Sequence, residues 1–214
     1  APKGGVFGLT ADLSHEHPDR VFNSPLAEAT IAGVGIGMAC YGKRPVFEIQ
    51  FIDFVGPAMN QITQILATLR WRTNGDWNCP VVMYAPYGAY LPGGSLWHSQ
   101  ANESIFAHCP GLRVVVPSTP EDATALMWTS MHTDDPTLFL IPKHLFRQQM
   151  AVPDDIPAVG FGEARVRREG DDVTIVSWGN CMEQAFAAAD ALADEVSAEI
   201  IDLRSIQPWD KEAI

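Results

Sequence analysis

The sequence has 214 residues, 47% of them hydrophobic and 19% charged, a composition that predicts a soluble globular chain and excludes disordered, collagen-like and coiled-coil proteins. Its 26 acidic and 14 basic residues give a formal charge of −12 at pH 7, which disfavours a nucleic-acid partner because phosphate binding needs a cationic surface. No apolar run reaches the roughly 20 residues of a membrane helix, so no membrane partner is expected.

The four cysteines lie far apart and in no metal-ligand spacing, which is typical of reduced thiols rather than of a disulfide framework. They are Cys40, Cys79, Cys109 and Cys181. No secretory signal precedes the first predicted element. We therefore expect a bacterial cytoplasmic protein or one of the mitochondrial matrix.

Short strands alternate with amphipathic helices through the first 148 residues. Strands are predicted at 45–50, 80–85, 112–116 and 137–141, and helices at 58–72, 103–108 and 120–132. Thr119 is the expected cap of the last helix, with Pro120 at its first position. This alternation predicts an α/β fold in which helices cover a parallel sheet on both faces.

The segment 149–161 is acidic and rich in proline, and we interpret it as a linker. A second series follows, with strands at 162–168, 173–177 and 198–203 and a helix at 182–196. The chain is accordingly divided into a first domain at 1–148 and part of a second α/β domain at 162–214. We expect the first domain to lack an opening segment and the second to be truncated.

Glu28 stands near the start of a helix made almost entirely of small and apolar residues. Ser24 is the predicted cap, which leaves Glu28 one residue too late for a capping box. The helix is expected to be buried on all sides, where a carboxylate is costly to ionise unless a partner shares its proton. The alternative is an ordinary first-turn acid stabilised by the helix dipole.

Three glycines inside this helix, at Gly33, Gly35 and Gly37, superficially suggest a dinucleotide-binding motif. That motif has the spacing G-x-G-x-x-G, whereas these glycines are spaced G-x-G-x-G. They also lie within a helix rather than between a strand and a helix. Close helix packing is the better explanation.

His98 follows a glycine-rich loop at 87–95 and stands beside Ser99 and Gln100. A histidine delivered by flexible backbone suits general acid–base chemistry near neutral pH. The alternative is a structural or solvated histidine. The sequence contains no Ser-His-Asp order, zinc motif or phosphate loop.

Seven segments share the order and residues of a known family, namely 3–8, 20–28, 48–54, 97–100, 108–112, 116–118 and 201–204. Through them the chain resembles the β subunit of the thiamine-diphosphate-dependent decarboxylating component of 2-oxo acid dehydrogenase complexes. The stretches 97–100 and 106–111 resemble the branched-chain, 2-oxoisovalerate type more than the pyruvate type. An acetoin-cleaving relative and a non-catalytic assembly fragment remain alternatives.

The resemblance implies a transketolase-like pyrimidine-binding domain followed by the start of a transketolase C-terminal domain. It also implies roles for individual residues. Glu28 would hydrogen-bond the 1′ nitrogen of the aminopyrimidine ring, Phe54 would pack on that ring, and Leu26 and Gln50 would line the same pocket. His98 would assist proton or acyl transfer at the thiazolium end.

Partners and further cofactors are implied in the same way. The chain contains no Gly-Asp-Gly, so an α subunit or fused α region would supply the Mg²⁺ and diphosphate half of the site, in an α2β2 assembly with a second β chain. The acyl group would pass to a lipoyl domain. A K⁺ site is implied near Val82, Met83, Ser130, Thr133 and Asp135, although Met83 and Thr133 depart from the threonine and aspartate of some relatives.

Overall fold

The computed structural model describes residues 4–90, 92–151, 154–155 and 158–214. Its helices are α1 (Ala11–Glu16), α2 (Glu28–Cys40), α3 (Leu69–Arg72), α4 (Glu103–Ala107), α5 (Pro120–His132) and α6 (Cys181–Ala191). Its strands are β1 (Val46–Glu48), β2 (Val82–Tyr87), β3 (Arg113–Val115), β4 (Thr137–Pro142), β5 (Arg165–Arg168), β6 (Val173–Ser177), β7 (Ala198–Asp202) and β8 (Ser205–Gln207).

The first sheet has the strand order β1-β2-β4-β3-β8, and its first four strands run parallel. Every residue of β2 and β4 is buried. Side chains alternate between two cores, since Leu138 and Leu140 join the helices on one face while Phe139 and Ile141 join those on the other. The predicted α/β architecture, a sheet covered on both faces, is confirmed.

The second sheet has the order β5-β7-β6, with β6 parallel and β5 antiparallel to β7. Helix α6 covers it, because Met182, Ala185 and Ala189 pack in one cluster with Ile200. The prediction of parallel strands was too simple, since β5 and β8 are antiparallel and both sheets are mixed.

The helix predicted at 58–72 is broken. Gly56–Ala58 is a 3₁₀ turn, Gln61–Leu66 is π-helical, and the α3 segment begins only at Leu69. The hydroxyl of Thr63 donates to the carbonyl of Met59 four residues earlier, a contact that competes with regular helix bonding and bends helices. The segment is therefore helical over most of its length, as the apolar spacing predicted, but it is not one regular α-helix.

Polar contacts join the two sheets in a cluster that we call the sheet joint, formed by Ser118, Asp122, Asp202 and Arg204. The Ser118 hydroxyl donates to Asp202 Oδ1 at 2.9 Å, and Arg204 Nη1 donates to Asp122 Oδ1 at 3.0 Å. All four side chains are buried. The matching segments 116–118 and 201–204 thus meet in space, although some 84 positions separate Ser118 from Asp202.

No helix of the described residues has the length and apolar character needed to cross a membrane.

Candidate active site at the carboxyl edge of the first sheet

Gln50, one of the residues singled out in the sequence, lies where the parallel strands of the first sheet end, and so do Gly88 and Lys143. Gln50 follows β1 by two residues, Gly88 follows β2, and Lys143 follows β4. Strands β2 and β4 pair in register up to Tyr87 and Pro142, so the backbone beyond them emerges side by side. Ligand sites in open α/β sheets form at this edge, beyond the carboxyl ends of the strands.

Glu28 is the first residue of α2, and Ala27 is the cap residue without any side-chain cap bond. The prediction of Ser24 as the cap was wrong, because the backbone from Val21 to Pro25 is not helical. Glu28 is half-buried, and within the described part of the chain its carboxylate has no hydrogen bond or ion pair. Its place in the first turn of α2 agrees with the alternative interpretation of an ordinary first-turn acid.

Helix α2 is apolar all round but is covered on one side only. Ala32, Gly35, Ile36 and Ala39 are buried, whereas the side chain of Val34 is 55% exposed. The expected burial on all sides is wrong for this chain, because α2 packs on β1 and the turns after it and leaves its other face open. All three glycines lie within α2, but close packing explains only Gly35, where a Cβ would meet the Phe47 ring at 2.5 Å. For Gly33 and Gly37 the interpretation was wrong within this chain, because both face open space.

His98 ends a 3₁₀ turn at Leu96–His98, and two aromatic rings frame its imidazole. Phe51 meets the imidazole edge-on at 4.6 Å between ring centroids, and Phe54 does so at 5.4 Å. Phe54 remains 39% exposed, so part of its ring is free to receive a ligand. The structure thus brings two of the predicted site residues, Phe54 and His98, into direct contact.

The other two predicted pocket residues lie at the surface. Leu26 is 74% exposed, and Gln50 is also exposed. The Gln50 amide makes no hydrogen bond with the residues that the structure describes, and the Leu26 side chain is apolar. Leu26, Gln50 and Glu28 therefore offer an apolar surface, an amide and a carboxylate that this chain leaves available.

Two residues that the sequence reasoning missed hold the backbone around His98. Lys143 Nζ donates to the carbonyls of Gly88 and His98, the latter at 2.5 Å. Asp53 Oδ1 accepts the backbone N–H groups of Ser99 and Gln100 at 2.9 and 3.0 Å. A lysine directly after a buried parallel strand was the available signal, since it lies at the edge where ligand sites form.

The available side chains match the aminopyrimidine half of thiamine diphosphate in chemical type, and among the described contacts it is Phe54 and His98 that meet directly. A flat ring with nitrogen donors and acceptors matches an open aromatic face, a free carboxylate and a free amide. The diphosphate half is different. In the ranges 4–90, 92–151, 154–155 and 158–214, no group of three histidine, cysteine or acidic side chains could hold a metal ion.

The residues of the implied K⁺ site do not fit a bare cation well. Arg113 donates to Thr133 Oγ1 at 2.6 Å and to Asp135 Oδ2 at 3.0 Å. Arg70 binds the other oxygen of Asp135 at 2.7 Å, and Arg44 binds the Thr133 carbonyl at 2.6 Å. Guanidinium groups already supply the positive charge there, which weighs against a potassium ion.

The remaining members of that set add little. The Ser130 hydroxyl donates to the Leu126 carbonyl within α5, and Val82 and Met83 are buried in β2. Met83 offers no oxygen on its side chain.

Comparisons with known proteins place this chain in a family. The transketolase pyrimidine-binding domain model matches residues 1–149, and the transketolase C-terminal domain model matches residues 162–214. The chain belongs to the transketolase pyrimidine-binding domain family. This confirms the predicted resemblance and the fold that it implied.

Curated relatives include β subunits of three kinds. The chain is 49% identical over 215 residues to 2-oxoisovalerate dehydrogenase subunit beta of Bacillus subtilis, covering 99% of this chain and 65% of that protein. It is 39% identical to pyruvate dehydrogenase E1 component subunit beta of the same organism, covering 99% and 66%. With acetoin:2,6-dichlorophenolindophenol oxidoreductase subunit beta of Cupriavidus necator it shares 40% identity, covering 99% and 62%.

A solved structure described as a split gene transketolase, inactive beta4 tetramer, matches with a TM-score of 0.79 and 26% identity. The match covers 95% of this chain and 63% of that one. The chain thus spans less than two thirds of the length of these relatives.

Proposed function

We propose that this chain is the β part of a 2-oxo acid dehydrogenase that decarboxylates its substrate on thiamine diphosphate and passes the acyl group to a lipoyl domain. The branched-chain acid 2-oxoisovalerate is the favoured substrate, ahead of pyruvate. The observation that carries the proposal is the 49% identity to a 2-oxoisovalerate dehydrogenase β subunit across 99% of this chain. The open carboxylate of Glu28 and the Phe54–His98 pair support it.

Thiamine diphosphate, when bound, supplies the carbanion-stabilising chemistry that decarboxylation of a 2-oxo acid requires. Glu28 would share a proton between its carboxylate and the ring nitrogen of the aminopyrimidine. Phe54 would cover the ring and exclude water, with Leu26 and Gln50 at its margins.

His98 would accept or donate a proton at an imidazole nitrogen during substrate turnover. Its ring is held at two edges by Phe51 and Phe54, which restricts its orientation. Restricted orientation favours proton transfer, because little conformational freedom is lost when the transition state forms.

The remaining assignments belong to the same proposal. An α subunit or fused α region would provide the Mg²⁺ site, and a second β chain would complete an α2β2 assembly. The domain limits are 1–148 and 162–214 around a linker at 149–161. The protein would act in the bacterial cytoplasm or the mitochondrial matrix.

Two other functions have specific support. Acetoin cleavage is favoured by the 40% identity to the Cupriavidus necator β subunit. A role in assembly without catalysis is favoured by the solved relative, which is described as an inactive tetramer of β chains.

The test is a complex of the full-length gene product with its α partner, assayed in the presence of thiamine diphosphate and Mg²⁺. We expect CO₂ release to be fastest with 2-oxoisovalerate and slower with pyruvate. Faster turnover of acetoin would move the assignment to the second function. A formed complex inactive with all three substrates would refute both enzymatic proposals.

A further inference from the structure

We propose that Lys143 is a positioning residue for His98, acting with Asp53 to hold the backbone on both sides of the histidine. The catalytic meaning of this inference rests on the proposed function, whereas the structural claim does not. It goes beyond the residues that the family resemblance assigns, because neither Lys143 nor Asp53 is among them.

The first observation is the burial of Lys143. Its residue is only 1% exposed, yet no carboxylate among the described residues lies within ion-pair distance of its ammonium group. Burial lowers the pKa of Lys143, and the Asp53 carboxylate works in the opposite direction. A buried ammonium group destabilises the folded chain unless its N–H groups make hydrogen bonds. Lys143 donates two such bonds to backbone carbonyls.

The second observation is which carbonyls those are. Gly88 and His98 stand at the two ends of the loop that carries the histidine, and Lys143 bonds to both. The Gly88 N–H also donates to the Gln100 carbonyl at 3.0 Å, which closes the base of the same loop. The ammonium group therefore ties the loop ends to each other and to the end of β4.

The third observation is the negative charge of Asp53, which binds the backbone directly after His98. Asp53 accepts the N–H groups of Ser99 and Gln100, the two residues directly after His98. His98 thus has its carbonyl bound by a cation and the next two amides bound by an anion. The Lys143 Nζ also lies 5.3 Å from the centre of the Phe51 ring, which in turn contacts the imidazole.

The loop needs such support because its local backbone is unfavourable. Ser95, directly before the turn, has φ 54°, a left-handed conformation that non-glycine residues rarely adopt. Without Lys143 the carbonyls of Gly88 and His98 would lose a buried donor. The loop would then relax, and the imidazole would move away from its place between Phe51 and Phe54.

The experiment compares Lys143→Met with Lys43→Met in the full-length protein, since Lys43 is an exposed lysine and provides the same substitution as a control. We expect hydrogen exchange at the Ser99 and Gln100 amides to be at least about tenfold faster in Lys143→Met and unchanged in Lys43→Met. Unchanged exchange in folded Lys143→Met would overturn the structural claim.

In the α-containing complex, Lys143→Met should lower kcat by about 10- to 100-fold and leave KM within about twofold, because ground-state binding does not depend on His98. Faster exchange with unchanged kcat would overturn the catalytic role and leave the proposed function intact. Should Lys143→Met fail to fold, Asp53→Ala replaces it. The same exchange and kcat criteria apply to Asp53→Ala, and values like those of the wild type would overturn the proposal.

Discussion

At the sheet joint every charged side chain meets partners inside this chain, whereas at the candidate active site Glu28 and Gln50 meet none among the described residues. Asp122, Asp202 and Arg204 are buried and bonded to one another or to Ser118 and the backbone. The side chains predicted for the site are half-buried or exposed, namely Leu26, Glu28, Gln50, Phe54 and His98. The joint therefore satisfies its charges within this chain, while the site leaves a carboxylate and an amide available, as the proposed cofactor site requires.

Of the substitutions that test this comparison, one at Glu28 is expected to have the largest effect, and the effect is on turnover. In the α-containing complex, Glu28→Gln should lower turnover by about 1,000-fold, because an amide cannot share a proton with the ring nitrogen as a carboxylate does. The melting temperature should stay close to that of the wild type, since no internal contact is lost.

Glu121→Gln is the matched control for Glu28→Gln, because Glu121 is likewise a first-turn acid but has no assigned role in the site. It should leave turnover unchanged. Equal losses in the two variants, or a Glu28→Gln enzyme of normal turnover, would contradict the assigned role.

The opposite result is expected at the joint. Arg204→Met should reduce the free energy of unfolding by about 3 kcal/mol, because the buried Asp122 carboxylate would lose its 3.0 Å bond to the Arg204 guanidinium. Chemical denaturation measures this directly. Arg168→Met is the control, since its ion pair with Asp190 lies at the surface, away from the joint residues, and should contribute less than about 1 kcal/mol. Losses of similar size in both variants would show that burial does not distinguish the joint.

A smaller change in the free energy of unfolding is expected at the sheet joint when the pH is varied. Burial raises the pKa of Asp202 to about 6 from an ordinary 3.8, and the Asp122 carboxylate adds to the rise. The contribution of Asp202 to stability is therefore complete below pH 3.8 and is lost as the pH rises to about 6.

Asp202→Asn cannot ionise, so it should lack this loss. The difference in free energy of unfolding between variant and wild type should shift in favour of the variant, by on the order of 2 kcal/mol, from pH 4 to pH 7. A difference that stays constant across this range would contradict the raised pKa.

The smallest expected effect concerns the two predicted helix caps. Thr119→Ala should destabilise the chain by about 1 kcal/mol, because the Thr119 hydroxyl accepts the Asp122 N–H at 3.1 Å and caps α5 beside the joint. Ser24→Ala, near the site, should change the free energy of unfolding by less than about 0.3 kcal/mol, since Ser24 caps no helix. Thermal unfolding of the two variants side by side provides the measurement.

The parts of the fold that the sequence predicted are those governed by local patterning. The cap at Thr119 and the strand at 173–177 follow from turn chemistry and β-branched runs, and the structure confirms both. The antiparallel strand β8 was missed because its three residues gain their structure from pairing with β3, which is distant in sequence.

The site shows the same division. Glu28 was noticed from its awkward place in a helix start, and His98 from the glycine-rich loop before it. Lys143 and Asp53 were missed because their roles depend on where β4 and the turn after β1 meet the loop in space. Nothing in the residues around them indicates that contact.

The short strand β8 has a consequence for how the protein can be handled. It covers one edge of β3 through the pairs Val114–Gln207 and Val115–Ser205. A recombinant fragment ending before Ser205 would expose that edge, with its unpaired N–H and C=O groups, to other molecules. Such a fragment should aggregate through intermolecular strand pairing even if its site residues are all present, so fragments prepared for cofactor binding should extend through Gln207.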